Sequence, residues 1–109
     1  MIALIEDNLE SIRALCARYD VRSLTLFGSA TSVRRFDPAR SDVDFLVDLG
    51  DYDGSVLDRF LGLAEGLEQV LGRNVDLVIE STLSNPYLIA SIKKAKVSVY
   101  EAEHRKAAA

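Results

Sequence analysis

Apolar residues recur along this chain at two different periods, and the switches between them divide it into elements. Ile5, Leu9, Ile12, Cys16 and Tyr19 stand at spacings of four and three. That is one helix face, and it predicts a helix over residues 2–19. Residues 21–27 alternate and carry β-branched side chains, which predicts a strand ending at Gly28. Residues 29–35 read as a short helix or turn, and residues 36–41, with Pro38, as a loop. A second strand follows over 43–49, then a loop over 50–55 able to cap the next helix. Val56, Phe60, Leu63, Leu67 and Val70 form a stripe that predicts a helix over 56–71. Gly72 is placed to close that helix in the left-handed conformation. A third strand is expected over 75–79. Asn85-Pro86 reads as an N-cap followed by proline at the first helical position, opening a helix that runs to about residue 95. A short fourth strand is expected over 97–100. Strands and helices intermix, so the expected class is α/β (α+β), a small mixed sheet with helices on one face.

At 109 residues the chain reads as one domain over 1–101, with a tail over 102–109 expected to be frayed or disordered. There is no internal repeat and no linker. Apolar residues make up 49% of the chain, enough for a globule, yet no run of about 18 of them occurs that would span a membrane. The first residues show no basic stretch followed by an apolar core, so no signal peptide is expected. One cysteine excludes an internal disulfide and fits a reducing compartment. A cytoplasmic location is the expectation. The net charge of −4 argues against a protein that grips duplex nucleic acid through its phosphates. A nucleotide held through a metal remains compatible with that charge.

Chemistry enters with the acids. Asp42 and Asp44 stand two apart around the start of the second strand, so they share a face while Val43, Phe45 and Val47 share the other. Asp76 occupies the equivalent outward position of the third strand, between Val75 and Leu77. If those strands are neighbours, three carboxylates converge. Hard oxygen ligands of that kind suit Mg²⁺ or Mn²⁺, and a pair of such ions can activate an attacking oxygen and stabilise a leaving phosphate. The plain alternative is a solvated polar strand face. Asp48 also shares that face and reads as a surface carboxylate at the strand end. Gly28-Ser29, directly after the first strand, is either a simple turn or a place where backbone N–H groups and a hydroxyl can meet a phosphate.

Taken together, Phe27-Gly28-Ser29, Asp42-Val43-Asp44 and Asp76 resemble the minimal nucleotidyltransferases. These are the small single-domain branch of the DNA polymerase β-like superfamily, with the MntA-type antitoxins of HEPN/MNT toxin–antitoxin systems among them. The closing segments, Asn85-Pro86-Tyr87-Leu88 and Val97 to Glu101, carry the same likeness, which covers nearly the whole chain. The resemblance implies a nucleotidyltransferase palm fold, ATP as substrate and Mg²⁺, with two ions expected. By matched position Asp42 and Asp44 would bind metal, and Asp76 would be the third carboxylate, helping a hydroxyl attack the α-phosphate. Gly28 and Ser29 would hold the triphosphate. Many members carry an arginine soon after Gly-Ser, where this chain has Ala30-Thr31. Arg34 or Arg35 is the candidate for the missing cation, against the alternative of solvated surface charge. Family members are often antitoxins encoded beside a HEPN-domain ribonuclease toxin, and some silence it by transferring AMP to a toxin tyrosine.

Three functions are therefore expected to compete. The first is a Mg²⁺-dependent adenylyltransferase acting on a partner HEPN toxin. The second is a palm domain that neutralises the partner by steric binding. The third is a small-molecule nucleotidyltransferase of the antibiotic-modifying kind, for which the chain looks too short to build an acceptor pocket. A homo-oligomer is left open. Cys16 reads as core, and Lys93, Lys94 and Lys96 as a solvated helix end. Tyr52 and Tyr87 read as surface or partner contacts, and His104 is assigned no role.

Overall fold

The computed structural model describes residues 2–37, 39, 42–50 and 54–102. Pro38, Ser41, residues 51–53 of the capping loop with Tyr52, and the tail from 103 with His104 lie outside the described residues. Four strands, β1 (Ser23–Phe27), β2 (Val43–Asp48), β3 (Val75–Ile79) and β4 (Lys96–Glu101), form one sheet in the order β3-β2-β1-β4. β1 is antiparallel to β2 and β4, while β2 and β3 run parallel. The parallel pair needs a crossover, and the helix α3 (Val56–Leu71) supplies it.

The expected helix over 2–19 is two helices, α1 (Ala3–Asp7) and α2 (Leu9–Arg18). Asn8 breaks the run. Its side-chain Nδ2 donates to the Leu4 carbonyl at 2.8 Å, the acceptor its own backbone N–H would use in a continuous helix. Apolar periodicity continues across the break, since Ile5, Ile12 and Cys16 are all fully buried. α3 has the expected bounds, and Gly72 closes it with φ +65° and an N–H donated to the Glu68 carbonyl at 2.8 Å. A last helix, α4 (Pro86–Lys94), starts at Asn85, whose Oδ1 accepts from the Tyr87 N–H at 2.9 Å.

The period-two alternation of the strands builds two unequal apolar clusters. Leu24, Leu26, Val43, Phe45 and Val47 face α2 and α3 in the main core, with Ile5, Ile12, Leu63 and Leu67. Phe27 and Leu46 point the other way and join Ile92 of α4, with Val78, Leu83 and Leu88 around them. The mixed sheet is as expected, but helices on one face describes only α1, α2 and α3. α4 lies over the opposite face because Leu88 and Ile92 need an apolar partner, and Phe27, Leu46 and Val78 provide it.

Arg59 of α3 ties the frame together at one end. Its Nε donates to the Tyr19 carbonyl at 3.0 Å, and its Nη2 donates to the Asp20 and Leu49 carbonyls at 2.7 and 2.6 Å. The end of the domain is also tied down. Ala102, expected in the frayed tail, is buried and donates its N–H to the Arg22 carbonyl at 2.9 Å.

Candidate active site

Strand register places the acids. In the parallel β2–β3 ladder Asp44 stands directly beside Asp76, as Phe45 does beside Leu77 and Leu46 beside Val78. Neighbouring strands lie about 4.8 Å apart, so two such carboxylates sit side by side on one face. Across the antiparallel β1–β2 pair the neighbour of Asp44 is Phe27. The chain then turns through a short 3₁₀ segment, Gly28–Thr31.

Gly28 is where the turn and the acids meet. Its φ is +78°, a left-handed value that L side chains rarely adopt, and a Cβ there would fall 2.6 Å from Asp44 Oδ2. Glycine therefore allows the backbone to close on the carboxylate. Thr31 Oγ1 donates to the Gly28 carbonyl at 2.7 Å and fixes the segment. Ser29 is the second residue of this turn and is half-buried.

The carboxyl of Asp44 is raised from 3.8 to about 6. Burial is the main cause. The charge of Asp76 adds to it, then a hydrogen bond between the two carboxyls, then the charge of Asp42. Asp44 is half-buried, while Asp76 is exposed. Two acids within hydrogen-bonding reach, Asp44 raised by burial and by its neighbour, make a pair of hard-oxygen donors on one face. That is the fit expected for Mg²⁺.

The three predicted acids are not equally drawn in. Among the described residues no group of three His, Cys, Asp or Glu is gathered closely enough for a three-ligand metal cage. Asp42 is exposed and precedes β2, outside the ladder, so it acts on Asp44 through charge. Asp44 and Asp76 share one rung of the β2–β3 ladder and Asp42 lies outside it, which is the physical reason for the difference. Asp48 makes a long contact to Arg22, Nη1 to Oδ2 at 4.0 Å, and accepts from the Gly50 N–H at 2.9 Å, so its role is structural.

Phe27, Gly28, Asp44, Asp76, Leu77, Val78, Leu88 and Ser91 line a cavity of about 330 Å³. One wall carries the carboxylates, and the other is the apolar underside of α4. Arg34 is exposed and does not line this cavity. A second cavity, of about 500 Å³, adjoins it through Ser91 and is lined by Arg35, Tyr87, Ala90 and Lys94. Leu88 and Ser91 were missed by sequence reasoning. Their signal was the spacing of α4, but nothing local says which sheet face that helix covers. Cys16 is buried in the core, where burial pushes its thiol up to about 12, so it is an inert apolar filler.

Residues 10–99 match the family model described as nucleotidyltransferase domain. The protein adenylyltransferase MntA of Thermococcus cleftensis is 39% identical over 90 residues, which span 78% of this chain and 87% of that one. A solved structure of a tri-AMPylated Shewanella oneidensis HEPN toxin in complex with its MNT antitoxin superposes with a TM-score of 0.62. It is 21% identical and covers 94% of this chain and 77% of that one. A toxin–antitoxin structure with AMP-PNP superposes at 0.66, is 22% identical, and covers 93% of this chain and 79% of that one. At such identities these two structures show a shared fold.

Proposed function

The chain belongs to the nucleotidyltransferase domain family, and from that premise we propose that it is a protein adenylyltransferase acting as an antitoxin. In this reading it uses ATP and Mg²⁺ to transfer AMP to a hydroxyl of a partner, a tyrosine of a HEPN-domain ribonuclease toxin, the hydroxyl oxygen bonding to the α-phosphorus as the α–β bond breaks and pyrophosphate leaves. The observation that carries the reading is the Asp44–Asp76 pair, set in register and closed on one side by Gly28. The similarity to MntA supports the protein acceptor. The AMPylated HEPN complex and the AMP-PNP complex belong to proteins of the same fold and point to the same chemistry.

Nucleotidyl transfer depends on in-line positioning and on neutralising charge as it develops. Asp44 and Asp76 would hold the divalent ion, with Asp42 adding negative charge at the open end of β2. When bound, Mg²⁺ supplies charge neutralisation at the phosphates and lowers the cost of ionising an oxygen nearby. Asp76, exposed at the cavity, is the carboxylate an incoming hydroxyl reaches, and it accepts that proton. The N–H groups of Gly28 and Ser29 would meet phosphate oxygens at the turn that the missing Cβ lets close on Asp44. Phe27, Leu77, Val78 and Leu88 exclude water from one side of the cavity, which strengthens each charge interaction within it. The acceptor comes from outside, because the cavity is too small for a nucleotide together with a second substrate.

A second reading, neutralisation of the partner by steric binding, is favoured by one observation. The Thr31 hydroxyl, near where many family members place an arginine, is spent on the Gly28 carbonyl.

One experiment separates the two. The protein is incubated with α-labelled ATP, Mg²⁺ and the product of the adjacent gene, with Asp44→Asn beside it. Label is expected on the partner with the wild type and at least about a hundredfold less with the variant, the scale of losing one transition-state electrostatic contact. A stable complex that carries no label in either case would sink the catalytic reading and leave the steric one.

A further inference from the structure

The adenylyltransferase reading leaves most of a nucleoside triphosphate without a home. The cavity holding Asp44 and Asp76 has about 330 Å³, at the low end for a small-molecule site. Its polar wall is acidic. A divalent ion there offsets the carboxylates and part of the phosphate charge, but the β- and γ-phosphates still need cations. The turn after Gly-Ser offers Ala30 and Thr31, and neither carries charge.

The adjoining cavity supplies what the first lacks. It has about 500 Å³ and is lined by Arg35, Tyr87, Ala90, Ser91 and Lys94. Ser91 lines both, so the two spaces adjoin at that residue. Tyr87, Ala90, Ser91 and Lys94 follow spacings of three, one and three, which is one face of α4. The sheet-facing side of the helix carries Leu88 and Ile92 instead. Arg35 approaches from the other wall on a turn in which the Arg35 and Phe36 N–H groups both donate to the Ser32 carbonyl, at 3.3 and 3.1 Å. Phe36 is packed against the main core, so the backbone beside Arg35 is anchored. Arg34, one residue earlier, lines neither cavity.

We propose that Arg35 and Lys94 form a two-element cationic subsite that holds the β- and γ-phosphates of the nucleoside triphosphate, Arg35 rather than Arg34 being the one of the two candidate arginines that takes this role. The subsite rests on the adenylyltransferase reading and specifies how this chain grips its substrate without an arginine next to Gly28-Ser29. A guanidinium from one wall and an ammonium from the other match a phosphate chain, the first as a planar fork and the second as a point charge. The α-phosphate stays by Asp44 and Asp76, and the tail runs past Ser91. The subsite is assembled from the loop after β1 and from α4, so it exists only when α4 docks on Phe27 and Leu46.

The test is calorimetric binding, with Mg²⁺, of the α,β-methylene analogue of ATP, which is not cleaved, beside AMP. Wild type is compared with Arg35→Ala/Lys94→Ala, with Lys93→Ala as the charge control and Arg35→Lys as the conservative variant. Both altered side chains are exposed, and thermal melting checks that each variant folds. The double variant is expected to bind the triphosphate analogue at least about tenfold more weakly, the loss of one or more charge-assisted contacts, with AMP affinity unchanged. Lys93→Ala is expected to match wild type, and Arg35→Lys to fall between wild type and the double variant, keeping the charge but losing the planar fork. Equal triphosphate binding by wild type and the double variant would overturn the subsite and leave the nucleotide reading intact. A wild type that binds no analogue would overturn both. A loss shared equally by AMP and the triphosphate would assign the cleft to the base, next to Tyr87, and overturn the phosphate role.

Discussion

The two faces of the sheet are built from the same strands, alternate residue by alternate residue, and they are used in opposite ways. One face is a continuous apolar surface, with Leu24, Leu26, Val43, Phe45 and Val47 all fully buried under α2 and α3. The other is mixed. Phe27, Leu46 and Val78 are covered by α4, but Asp44 and Asp76 interrupt them at the cavity. The first face pays for the second: burying a large apolar side chain contributes about 1.5–3 kcal/mol, which leaves room to hold two carboxylates side by side against their repulsion. Stability and chemistry are thus separated by one residue along β2. Phe45 belongs to the first and Asp44 to the second.

The separation breaks most sharply at Phe45. Phe45→Ala is expected to cost about 3–5 kcal/mol in denaturant unfolding, as expected for an aromatic deleted from a closed core. Asp44→Asn, next to it, is expected to lose transfer without losing stability. A Phe45→Ala protein as stable as wild type would show that the core face is not what holds the sheet.

Gly28→Ala tests the boundary between the faces. The φ of +78° and a Cβ 2.6 Å from Asp44 Oδ2 act together. The expected cost is about 1–3 kcal/mol, together with displacement of the Asp44 carboxyl and weaker Mg²⁺ binding. Unchanged melting and metal affinity would show that the turn has room the backbone does not reveal.

The smallest effect is the pH dependence of the metal-free protein. Asp44 is raised from 3.8 to about 6, so the folded state holds its proton more tightly than the unfolded chain does. The resulting stabilisation is complete below about pH 4 and is lost as pH rises through about 6. Half-exposure screens it, so the change is on the order of 1 kcal/mol. Melting temperatures from pH 4 to 8 should fall in the wild type over this window and stay flatter in Asp44→Asn. Mg²⁺ should recover stability above about pH 6, where Asp44 is ionised. Identical profiles for wild type and Asp44→Asn would rule out a shared acidic site.

Where periodicity is local, the residues alone determined a great deal. The bounds of α3, its closure at Gly72, the Asn85 cap and the placement of all four strands follow from spacing and turn chemistry within a few residues. So does the sorting of Asp44 and Asp76 away from the core, because a strand alternates whatever its neighbours are. The break at Asn8 was hidden, since a side-chain hydrogen bond to Leu4 leaves the apolar spacing untouched.

Long-range pairing decided the rest. Parallel pairing of β2 with β3 set Asp44 beside Asp76 and left Asp42 outside the ladder. Docking of α4 on the acid face, through Leu88 and Ile92, closed the cavity and brought Lys94 to the cavity that Arg35 also lines. No local pattern distinguishes Arg34 from Arg35, or tells an amphipathic helix which of two sheet faces to cover. Those choices depend on complementary surfaces far apart in the chain, and they exist only once the sheet has formed.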